Sequence, residues 1–112
     1  MSFEGVWQLE VLGPYGWQGI GTAFLRNGQY LAAGGDYHAL GSYQEDGDKF
    51  IADVKSTQHG KVPTVFGETK KHVKARIEGE MKEPDIITGT LYPPKNRNYD
   101  LKLRMTRAEK LD

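Results

Sequence analysis

Along most of this chain apolar and polar residues alternate one by one, and each alternating run stops at a turn signal. Trp7, Leu9 and Val11 share one side of the first run, with Gln8 and Glu10 on the other. Phe50, Ala52 and Val54 repeat the pattern, as do Val73, Ala75 and Ile77, and finally Tyr99, Leu101, Leu103 and Met105. A period of two places such residues on one face of a β-strand. The punctuation is equally regular: Gly13-Pro14-Tyr15-Gly16, Asn27-Gly28, Gly34-Gly35-Asp36, Asp46-Gly47-Asp48, Glu83-Pro84-Asp85 and Pro93-Pro94-Lys95-Asn96. Asn-Gly is the hairpin dipeptide for a type I′ turn, because both residues accept positive φ. Strands are therefore predicted over residues 5–12, 17–26, 29–33, 37–44, 49–57, 70–81, 85–92 and 99–107. The connection 58–69 is the one long irregular stretch, with room for a single helical turn near Thr64-Val65-Phe66. The end of the chain, 108–112, reads as a loose tail on a single domain spanning 1–112.

Eight consecutive strands joined by short turns predict an all-β, eight-stranded up-and-down barrel, which leaves no sheet edge exposed; a Greek-key sandwich is the competing arrangement. An interior of that size holds side chains or one small ligand. The second strand does not reveal which side faces in. Gly19, Gly21 and Ala23 lie on one side, with Ile20 and Phe24 on the other. Either the small residues face inward and leave a cavity, with Ile20 and Phe24 exposed as a dimer surface, or the reverse holds and the glycines mark bends.

Composition narrows the function more than it names one. Fifteen Lys and Arg balance fifteen Asp and Glu, so no global field favours nucleic acid or a membrane surface. The absence of cysteine excludes disulfides, thiolate metal sites and cysteine nucleophiles. No secretory signal or long apolar run is read near Phe3-Glu4-Gly5-Val6-Trp7, so a cytoplasmic location is expected. His38, His59 and His72 fall in different elements with no close partner in sequence, and they read as solvated rather than metal-binding. No serine sits in a nucleophile elbow, and no spacing of carboxylates favours acid–base work. The expectation is a protein that is not an enzyme and needs no cofactor or metal.

Two surface features invite partners. Lys70, His72, Lys74 and Arg76 would share one strand face, a strip that more often serves as a solvated outer face. Glu45, Asp46 and Asp48 crowd three carboxylates onto a hairpin tip, which is either ordinary turn chemistry or an acidic knob for a basic partner.

Gly5-Val6-Trp7 at the head of the first strand resembles the Gly-x-Trp signature of lipocalin-like (calycin) barrels. The resemblance implies that Trp7 closes the barrel floor and that an arginine of the last strand packs over it. Arg107, in phase with Leu103 and Met105, is the better candidate and Arg104 the second. The Asn27-Gly28 hairpin, Gly34-Gly35-Asp36, the acidic tip and Val62-Pro63-Thr64-Val65 together resemble the GrlR-like proteins, lipocalin-fold negative regulators of type III secretion gene expression. That likeness spans roughly residues 5–107. It implies a homodimer that sequesters a basic helix-turn-helix activator, with the acidic motif matched here by Glu45, Asp46 and Asp48 and interrupted by Gly47. The competing expectation is a carrier of a small apolar ligand, its cavity lined by Trp7, Leu9, Phe50, Ala52, Val54, Val73, Ile77, Leu101, Leu103 and Met105.

Overall fold

In the computed structural model, which describes residues 2–59, 72–95 and 100–111, the strands are β1 (Gly5–Gly13), β2 (Gly16–Arg26), β3 (Gln29–Ala33), β4 (Tyr37–Asp46), β5 (Lys49–Gln58), β6 (His72–Glu83), β7 (Ile86–Tyr92) and β8 (Leu101–Lys110). Each pairs antiparallel with its neighbour in sequence, and β8 pairs back onto β1 to close an eight-stranded barrel. No helix occurs among the described residues. The expected helical turn at 64–66, the Val62–Val65 stretch, Lys70, Lys71, Asn96 and Tyr99 lie outside the described residues.

The alternation seen in sequence becomes inside and outside. Trp7, Leu9, Val11, Phe50, Ala52, Val54, Ala75, Ile77, Leu103 and Met105 are all buried in one continuous core. The outer faces carry charge instead, including Lys55, Lys74 and Asp53. An apolar interior under a charged exterior reverses the pattern of a membrane-spanning barrel. The Asn27-Gly28 turn has positive φ at both residues, 52° and 77°, as a type I′ hairpin requires. At Gly89 the reason for glycine is close approach: a Cβ there would lie 2.0 Å from the Glu78 carbonyl oxygen on β6.

Two irregularities shift the parity of strands. Leu9 pairs with Gly21 but Glu10 pairs with Gly19, so Ile20 is an extra residue in β2. Val6 pairs with Glu109 but Trp7 with Arg107, which makes Ala108 the extra residue of β8. The second pairing also corrects the expected loose tail. β8 continues to Lys110, opposite Gly5, because β1 begins there and supplies the partner backbone.

Candidate functional site

The strand ends divide the barrel into a floor and a mouth. Gly5, the Asn27-Gly28, Gly47-Asp48 and Pro84-Asp85 turns, and the end of β8 gather at the floor. The mouth holds Gly13–Gly16, residues 34–36 and the ends of β5 and β7.

The floor is built around Trp7, which is fully buried. Its indole Nε1 donates to the Phe3 carbonyl at 2.8 Å, folding the residues before β1 under the barrel. Phe3, also fully buried, meets Phe50 edge-on at 5.9 Å between ring centres. The Arg107 guanidinium lies 4.9 Å from the Trp7 ring centre. It donates to the carbonyls of Ser2 and Glu4 at 2.9 and 3.0 Å, and through Nε and a terminal nitrogen to Asp85 Oδ1 at 2.8 Å each. Gly5 completes the arrangement: a Cβ there would come within 2.6 Å of the Arg107 side chain. Arg104, three residues back and on the opposite face, stacks instead over Trp17 on the outside and pairs with Glu10 at 3.0 Å.

The acidic tip divides in two. Glu45 faces the floor, where Oε1 accepts the Phe3 backbone N–H at 2.6 Å, so it helps to hold the chain entry. Asp46 and Asp48 stand exposed at the turn, with Gly47 between them at φ 62°. Of the positive strip, His72 and Lys74 are exposed, and Arg76 lies 3.7 Å from Asp53 of β5.

Above the floor core lies an apolar pocket of about 60 Å³, lined by Leu9, Val54, Val73, Ile77 and Leu103 of the expected set. Phe50 and Met105 do not reach it; they are fully buried, Phe50 in the floor core against Phe3. Leu101 only packs against the core from a half-buried position. Tyr30, Tyr37, Ser56 and Gln58 also line the pocket and were not singled out in sequence. Ile20 lines it too, so Ile20 and Phe24 do not share a face as either sequence alternative had them: the extra residue in β2 turns Ile20 inward and away from any dimer surface. The space left by Gly21 is taken by Tyr37, whose hydroxyl would sit 2.7 Å from a Cβ at that position.

Phe24 does face outward, and it has company. It pairs with Leu31 of β3, which pairs with Leu40 of β4, and the three are 46%, 46% and 53% exposed. Three large apolar side chains thus lie abreast on adjacent strands. Polar and small residues border them, with Thr22, Ala33 and His38 on one side, Arg26, Gln29 and Ser42 on the other, and Lys55 of β5 opposite Leu40 at the end of the row.

Removing the guanidinium in Arg107→Ala strands two carbonyls and uncovers Trp7. That should cost about 2–4 kcal/mol in urea unfolding, whereas Asp85→Asn, at a half-exposed carboxylate, should cost less than half as much. Burial, and then repulsion from Tyr37, raise the pKa of the Tyr30 phenol well above its ordinary value, and burial alone raises that of Tyr37. The unfolded chain therefore gives up these protons first. Stability should hold steady up to the ordinary tyrosine value of 10.0 and fall as pH rises beyond it. Urea midpoints between pH 8 and 11.5 should show that fall, with a shallower slope in Tyr30→Phe.

No family model matches this chain, and comparison with curated proteins gives no significant match. The functional reading therefore rests on the residues and their geometry.

Proposed function

We propose that this barrel is a non-enzymatic protein-binding module of the lipocalin-like, GrlR-like kind, which pairs with a second copy of itself and captures a basic partner. The observation that carries the reading is the exposed row Phe24–Leu31–Leu40, a set of apolar side chains in register across three strands, with a polar border that includes Arg26 and Lys55. An apolar centre with a polar rim is the anatomy of a protein interface. Two such rows packed about a twofold axis running along the strands bring Leu31 against Leu31 and Phe24 against Leu40, so one patch serves both copies. The row is small for a standard interface, which points to a dimer in equilibrium with monomer.

The acidic turn supplies the second contact. Asp46 and Asp48 stand exposed at the floor, placed to steer a positively charged partner such as a helix-turn-helix activator. Glu45 is part of barrel closure. In this respect the acidic contact on this chain rests on two carboxylates rather than three.

A second reading, carriage of a small apolar molecule, is favoured by the pocket alone. At about 60 Å³, against some 10–15 Å³ for one water on the same measure, it takes a ligand of a few heavy atoms and not a fatty acid.

Leu31→Glu should abolish self-association in sedimentation velocity while leaving far-UV circular dichroism unchanged. Asp46→Asn with Asp48→Asn should leave the dimer intact and remove capture of a basic DNA-binding protein from native extract. A native chain that stays monomeric at millimolar concentration contradicts the reading.

A further inference from the structure

All three histidines of the chain, which sequence spacing keeps apart, come together on the outer face at the mouth. His38 of β4 pairs across the sheet with Thr57 of β5, and Thr57 pairs with His72 of β6. His59 follows two residues after Thr57 and so returns to the same face. Its backbone N–H donates to the Asp36 carbonyl at 2.7 Å, which holds it beside the start of β4. The result is His38 Nδ1 2.5 Å from His59 Nε2, with ring centres 4.7 Å apart. The two ring nitrogens thus face each other within hydrogen-bonding distance, one ring carried by β4 and the other just past the end of β5.

From this geometry we infer that His38 and His59 form a binding site for a divalent late transition metal ion, with copper(II), nickel(II) or zinc(II) as the class. The chemistry follows from the donor set. Neutral imidazole is the ligand these ions share, whereas calcium and magnesium require oxygen. Nitrogens bound at about 2.05 Å stand about 2.9 Å apart at right angles and about 3.3 Å apart in a tetrahedron. Small rotations of two exposed rings reach either value from 2.5 Å. Among the described residues no third ligating side chain already converges on the pair. The remaining positions therefore belong to water or to a group brought by a partner, and the site is an open one. His72 is occupied next door, its Nδ1 3.2 Å from the Thr57 hydroxyl.

The position gives the ion a consequence. Tyr37 and Gln58, which immediately precede His38 and His59, both line the pocket. An ion held by the two histidines would tie the start of β4 to the end of β5 at the pocket's rim. This inference stands independently of the dimer and the acidic contact.

The test is titration of the native chain with copper(II) and with nickel(II) in a weakly coordinating buffer at neutral pH, by calorimetry and by electron paramagnetic resonance of the copper form. The expected result is one equivalent of ion with nitrogen hyperfine structure from imidazole. Affinity should fall at least tenfold in His38→Gln and in His59→Gln, and stay within about twofold in His72→Gln. Because these side chains are on the surface, all three variants should keep the native circular dichroism spectrum. No binding by the native chain, or binding that the His38 and His59 substitutions leave unchanged, overturns the inference. So does a loss in His72→Gln as large as in the other two.

Discussion

The closure of this barrel depends on one buried cation. Arg107 is the point where the last strand, the residues ahead of the first strand and the β6–β7 turn meet, through Ser2, Glu4, Trp7 and Asp85. A guanidinium with little access to water is costly unless its donors are used, and here the indole face takes the remaining side. The same group that satisfies itself in this way also joins both ends of the strand set. Barrel closure is a long-range event in sequence, and the arginine gathers its cost into one site.

What the floor excludes shapes the rest. With Phe3, Trp7, Phe50 and Met105 filling the lower interior, the space left above them is the small pocket between Leu9, Val54 and Leu103. Tyr37 fills the room that glycine leaves in β2. An interior so nearly full turns attention to the outer wall, where β4 carries both the end of the apolar row, at Leu40, and the exposed acidic turn that follows Asp46. In this account the core supplies rigidity and the surface supplies recognition.

Much of this was legible from residue order. Alternation gave the inward residues of β1, β5, β6 and β8, and the Asn27-Gly28 and Asp46-Gly47 signals marked real hairpins. Arg107 was distinguishable from Arg104 because residues two apart on a strand share a face, and the two arginines stack on opposite sides of the wall. Ile20 was not legible. A single extra residue in β2 inverts every orientation beyond it, and nothing in Gly19-Ile20-Gly21 says where the extra residue falls. The Phe24–Leu31–Leu40 row and the histidine pair were hidden for a related reason. Alternation assigns a face, but only the pairing register shows which residues of different strands stand side by side. The extension of β8 to Lys110 was masked by its polar composition and by the extra residue Ala108.

The most direct measurement is a set of backbone amide NMR spectra of the native chain from dilute to concentrated solution. The account predicts shift changes centred on Phe24, Leu31 and Leu40 and their outward-facing neighbours, with Tyr30, Val54 and Leu103 unmoved. Spectra that do not change with concentration, or changes confined to the pocket residues, would contradict it.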